Sequence, residues 1–181
     1  WLTVSSNLFG TAESDKRILV VDFGAQYAQL IARRVRESNV YSEIVSHELD
    51  AESFADLKPA GIIFSGGPTS VNVEGAPKID PAIYDLGVPI LGICYGAQLI
   101  AQQNGGSVEG NEKGEYGRTV VNVNESGILL SDFETSTQQV WMSHFDSITN
   151  PPEGATVTAS SDGSPVAVFE EPEKGLFGVQ F

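Results

Sequence analysis

Val88-Pro89-Ile90-Leu91-Gly92-Ile93-Cys94-Tyr95-Gly96-Ala97-Gln98 is the stretch that decides how the rest of the chain is read. A short apolar run, Val88 to Ile93, meets Gly-x-Cys-x-Gly, and a helix-compatible run, Ala97 to Gln103, follows. That order predicts a strand, an abrupt turn and a helix. It is the cysteine form of a nucleophile elbow, in which a reactive side chain is held at the sharp turn between strand and helix. Gly92 and Gly96 have no Cβ, so the backbone can cross itself closely around Cys94. The helix start offers unpaired N–H groups and a positive partial charge near the sulfur. Both favour the thiolate, the attacking form. A buried structural cysteine is the bland alternative, but it leaves both glycines without a purpose at a junction they would weaken.

Upstream, Arg17 to Phe23 is nearly all apolar, as a parallel strand covered on both faces requires. Gly24 turns the chain. Between Gln26 and Glu37, Tyr27, Leu30, Ile31 and Val35 recur at helical spacing, with Arg33, Arg34 and Arg36 outside. Ser38-Asn39 ends that helix. Val40 to Val45 is a second strand, and a short helix over Ala51 to Leu57 precedes Pro59. Gly61 to Phe64 is a third strand, closed by Ser65-Gly66-Gly67-Pro68. Thr69 to Lys78 reads as loop and Pro81 to Leu86 as helix, before the elbow. This alternation predicts an α/β fold, an open and mostly parallel sheet with helices on both faces. Sites in such sheets lie beyond the carboxyl ends of the strands. Phe23-Gly24, Ser65-Gly66-Gly67 and Cys94-Tyr95-Gly96 all fall on that rim.

After Asn104-Gly105-Gly106 the texture changes. Tyr116 to Val123, Gln139 to Met142, Thr156 to Ser160, Val166 to Phe169 and Leu176 to Phe181 are short strand candidates, punctuated by Asn150-Pro151-Pro152 and Asp162-Gly163. They predict a smaller antiparallel β portion whose last strand rejoins the main sheet.

The length of 181 residues suits one domain. Residues 1–16 are polar and aperiodic and read as a loose leader; residues 17–181 are the domain. Cys94 is the only cysteine, which rules out an internal disulfide and fits a reducing, cytoplasmic compartment. The net charge of −14 argues against a nucleic-acid partner. The apolar runs are strand-sized, so no membrane span is expected. The first residue is Trp1, and Phe181 stands inside an apolar strand-like run. Both ends suggest a piece of a longer protein.

A thiolate nucleophile needs a base and an oxyanion hole. The backbone N–H of Tyr95, just after Cys94, is one donor. Gly67, in the turn after a neighbouring strand, is suited to be the other. The base is harder to find among two histidines. His47 reads as a surface loop residue. His144 lies in Trp141-Met142-Ser143-His144-Phe145-Asp146, where Asp146 could orient it. From the residues alone the base stays open.

At this point the residues resemble a family, the class I glutamine amidotransferase domain, and most closely that of the glutamine-hydrolysing GMP synthases. The resemblance rests on Asp22 to Tyr27, Ala32 to Arg36, Ser65 to Pro68, Gly92 to Gln98, Trp141 to His144 and Gly178 to Phe181. Tyr95 after the cysteine, the Asp22 segment and Trp141-Met142-Ser143-His144 carry the finer likeness. It implies a flavodoxin-like fold and a glutaminase. Cys94 attacks the side-chain amide of glutamine, ammonia leaves, and water releases glutamate. Gly67 and Tyr95 then form the oxyanion hole, and Gln98, Ser143 and Asp146 line the glutamine pocket. The family's triad histidine and glutamate stand in a His-Pro-Glu that follows Gly-Val-Gln-Phe, so they are expected just after Phe181, and His144 belongs to a different motif.

The resemblance implies no metal or cofactor for the glutaminase. It implies a partner domain in the same polypeptide, an ATP-pyrophosphatase using ATP and Mg2+ to aminate XMP, and a homodimer at full length. Phe145 departs from the family, which has a small residue there. Two other readings stand beside this one: an amidotransferase for another acceptor, and a non-catalytic amidotransferase-like regulatory module.

Overall fold

The computed structural model describes residues 16–181 except 26, 68, 126 and 133–135. Of the expected leader, residues 1–15 lie outside the described residues. Four strands alternate with helices as the sequence predicts: β1 (Ile18–Asp22), α1 (Tyr27–Glu37), β2 (Ser42–Ser46), α2 (Ala51–Asp56), β3 (Gly61–Phe64), a 3-10 helix (Pro81–Asp85), β4 (Ile90–Ile93) and α3 (Tyr95–Gln103). These four strands pair in parallel. Then come β5 (Ser107–Val123), β6 (Thr137–Asn150), β7 (Thr156–Ser160), β8 (Val168–Glu171) and β9 (Leu176–Val179).

The antiparallel portion is not set apart from the main sheet. One nine-stranded sheet runs in the order β2-β1-β3-β4-β9-β8-β7-β5-β6. Strand β9 is the joint: it pairs in parallel with β4 and antiparallel with β8. Strands β5 and β6 are far longer than the short candidates read from sequence. Gly110, Gly114 and Gly117 all fall within β5. The pairing steps from Gly110 opposite Asp146 to Glu115 opposite His144, so residues 111–114 bulge out of the ladder.

Alternation along each strand sends side chains to opposite faces. Leu19, Val21, Ile62, Phe64 and Ile90 meet Leu99 and Ile100 of α3, Phe54 of α2 and Ile83 of the 3-10 helix in the larger core. A fully buried leucine or isoleucine there contributes about 1.5–3 kcal/mol. On the other face Val20 and Ile63 meet Ala28, Ile31 and Ala32 of α1. This corrects the apolar stripe read for that helix: Tyr27 and Leu30 are exposed, and the two alanines carry the contact. Small side chains let the helix approach the sheet closely, and that turns the larger ones outward.

Candidate active site

The elbow forms as its glycines require. Cys94 has φ 51° and ψ −107°, a conformation strained for a residue with a Cβ. Its N–H donates to Val179 O at 2.8 Å and its carbonyl accepts from Gln98 N–H at 3.1 Å. The turn is thus tied to β9 on one side and to α3 on the other. A Cβ on Gly92 would stand 2.5 Å from the Ala97 nitrogen, and one on Gly96 would run into the carbonyl of Phe64. Neither position admits another residue without moving backbone.

Three strand ends converge here. The Tyr95 ring is buried, with its centroid 5.4 Å from that of Phe23 after β1. Its hydroxyl donates to the carbonyl of Pro77. Burial pushes the phenol up to about 12, which keeps the hydroxyl a donor. Gly67, after β3, lies against the same ring: a Cβ there would be 2.7 Å from Tyr95 Cγ. The two proposed oxyanion donors therefore belong to residues in direct contact.

The sulfur lies 3.9 Å from the carbonyl oxygen of Ser143, and the Gln180 amide donates to it at 3.8 Å. Burial pushes the Cys94 thiol up; the Tyr95 N–H and the Gln180 amide pull it down without prevailing. The expectation of a favoured thiolate is thus not met by these residues. The hydrogen-bond partners of the sulfur among the described residues are the Gln180 amide and the Ser143 carbonyl, not a cation.

Gln98 and Ser143 contact Cys94, and Asp146 is joined to Gln98, though not all through their side chains. Gln98 is buried, and its amide donates to the Asp146 carbonyl at 3.0 Å and to Gln180 Oε1 at 3.3 Å. It fixes β6 to α3. Ser143 meets the sulfur with its main chain. Asp146 is 8% exposed, and its Oδ2 has no hydrogen-bond partner among the described residues. Gln180 went unremarked in sequence, because one glutamine near the end of an apolar strand carries no spacing signal.

Neither histidine is placed as a base. His144 Nδ1 faces the Asp146 carbonyl at 2.7 Å, and Nε2 faces Glu115 Oε1 at 3.0 Å and Ser164 Oγ at 3.2 Å. The Asp146 carboxylate does not orient it; the Asp146 main chain does. His47 is not a free surface residue: its Nδ1 faces the Asp22 carbonyl at 3.1 Å and its ring stacks on Phe23.

Residues 19–181 match the family model described as glutamine amidotransferase class-I. The chain belongs to the class I glutamine amidotransferase family. It is 53% identical over 170 residues to a glutamine-hydrolysing GMP synthase of Nocardia farcinica, covering 94% of this chain and 32% of that protein. To the Lactobacillus acidophilus protein of the same name it is 49% identical over 169 residues, covering 93% and 33%. The chain therefore spans about a third of the length of the curated relatives it matches. A solved structure from Thermoplasma acidophilum, named as that of a GMP synthase subunit, superposes with a TM-score of 0.80 at 33% identity, covering 92% of this chain and 83% of that one. A Thermotoga maritima glutamine amidotransferase, at 22% identity and a TM-score of 0.70, shares the fold. No helix among the described residues is long and apolar enough to cross a membrane.

Proposed function

We propose that this amidotransferase domain is the glutaminase part of a GMP synthase, hydrolysing glutamine to supply ammonia for the ATP-dependent amination of XMP. Cys94 at the elbow, with Gly67 and Tyr95 packed on each other beside it, is the observation that carries this reading. The sulfur attacks the side-chain amide carbon of glutamine. The carbonyl electron pair moves to oxygen, where the N–H groups of Tyr95 and Gly67 receive it. Collapse expels ammonia and leaves a thioester, which water cleaves to glutamate and the free thiol. Such donors are placed before the charge develops, so they stabilise the transition state more than the substrate.

A base must take the thiol proton and, as its conjugate acid, pass a proton to the leaving amine. Since both ring nitrogens of His144 are engaged, this reading gives that role to the histidine of the His-Pro-Glu expected after Phe181. Gln98 and Ser143 shape the pocket, and the unpaired oxygen of Asp146 suits the α-ammonium of glutamine. ATP, Mg2+ and the ATP-pyrophosphatase domain belong to the rest of the polypeptide, as do the homodimer contacts, and the enzyme works in the cytoplasm. The retained elbow and both oxyanion donors weigh against a non-catalytic module.

The test is Cys94→Ala in the full-length protein. Glutamine-dependent synthesis and ammonia release from glutamine should both be lost, while synthesis from free ammonia persists. Continued glutamine hydrolysis would end this assignment.

A further inference from the structure

His144 and Asp146 lie two residues apart on the same face of β6, yet the ring does not pair with the neighbouring carboxylate. Its Nδ1 faces the Asp146 main-chain oxygen, and its Nε2 faces both Glu115 and the Ser164 hydroxyl. Glu115 is held from several sides. Ser161 Oγ approaches its two oxygens at 3.0 and 2.8 Å, Ser164 Oγ donates at 2.5 Å and the Gly163 N–H at 3.2 Å. Burial pushes the Glu115 carboxyl up, but the bonds from Ser164, Ser161 and His144 outweigh it and hold it below the ordinary range.

The β5 bulge makes this arrangement. It brings Glu115 opposite His144, where an unbulged ladder would have continued directly from Gly110 opposite Asp146. Gly114 completes the bulge at φ +59°, where a Cβ would stand 2.8 Å from the His144 carbonyl. A buried carboxylate oxygen with no partner is costly, and Asp146 Oδ2 is one, two residues from a histidine already claimed by another acid.

We infer that Glu115 is a positioning residue for the α-amino group of glutamine: by claiming His144, it keeps the Asp146 carboxylate unpaired and ready for the substrate ammonium. This rests on the proposed reading that Asp146 lines the glutamine pocket. Without the charge of Glu115, the histidine turns towards Asp146 and competes with the ligand. The effect is specific to the α-amino group, because the sulfur, Gln180 and the oxyanion donors do not touch Glu115.

The experiment uses the full-length protein carrying Cys94→Ala, which binds glutamine without turnover. Calorimetry compares glutamine with 4-carbamoylbutanoate, the same amide without the amino group. Adding Glu115→Gln should weaken glutamine about tenfold and 4-carbamoylbutanoate less than about twofold, the scale of one charged contact. Adding His144→Asn to that variant should bring glutamine back to within about threefold of the starting affinity, since the competing ring is gone. Equal weakening of both ligands, or none, would overturn the inference while leaving the glutaminase assignment intact. If the Cys94→Ala protein binds no glutamine at all, the assignment falls and this inference with it. Should Glu115→Gln fail to fold, Glu115→Asp retracts the charge by one methylene and is read by the same ratio.

Discussion

Gly67→Ala is the sharpest perturbation the geometry offers. The added Cβ would stand 2.7, 3.0 and 3.1 Å from Cγ, Cδ2 and Cδ1 of Tyr95. Carbon atoms rest at about 3.5–4.0 Å, so something must move by about 1 Å. The ring cannot give way readily: it is buried against Phe23, and its hydroxyl is held by Pro77. The backbone at residue 67 moves instead and takes its N–H away from the developing oxyanion. Loss of one such donor costs about 100- to 1,000-fold in turnover, or about 2.7–4 kcal/mol. A misplacement of about 1 Å is enough for about 100-fold. The expected result is therefore a fall in kcat of about 100-fold with KM for glutamine within about threefold. Ammonia release from glutamine by the full-length protein is the assay, with synthesis from free ammonia as the control for folding. Gly66→Ala is the internal comparison, because its Cβ would meet only Tyr27 Cδ2 at 3.5 Å, an ordinary contact. A Gly67→Ala enzyme with turnover like that of Gly66→Ala would refute the assignment of Gly67 to the oxyanion hole.

Gln180→Leu removes a hydrogen bond that favours the thiolate of Cys94. Alkylation of Cys94 by iodoacetamide should therefore become slower at neutral pH, with its pH profile displaced upward; an unchanged profile would exclude a role for Gln180. The folded-state pKa of Glu115 is depressed, so its contribution to stability is present above its unfolded value and is lost as pH falls through the folded one. The melting-temperature difference between wild type and Glu115→Gln should accordingly be constant near neutrality and shrink at and below the ordinary glutamate range of about 4.3, with His144 as the ionisable group facing it. Purified alone, the 181-residue chain should release no ammonia from glutamine in the steady state, because the nitrogens of His144 are engaged by Asp146, Glu115 and Ser164. Turnover by this chain that is abolished by His144→Asn would move the base back to His144.

The sequence by itself determined the local features whose cause is local. A glycine on each side of Cys94 specifies the elbow, since only a residue without a Cβ lets Ala97 and Phe64 come so close. Apolar runs of strand length, alternating with helical periods, specified β1 to β4 and their parallel pairing. The glycine-bearing strand ends Phe23-Gly24, Ser65-Gly66-Gly67 and Cys94-Tyr95-Gly96 marked the rim on which Cys94 stands. What required the tertiary structure was everything decided by a partner distant in sequence. The choice of Ala28 and Ala32 over Tyr27 and Leu30 as the buried face of α1 depends on how closely the sheet lies. The length of β5 and β6 depends on each strand finding the other, which overrides the glycines between Gly110 and Gly117. Gln180 reaches Cys94 across 86 positions of sequence, and Glu115 reaches His144 across 29. The protonation of the thiol followed the same rule: the helix start beside it was legible, but the burial that outweighs it is a property of the packed molecule.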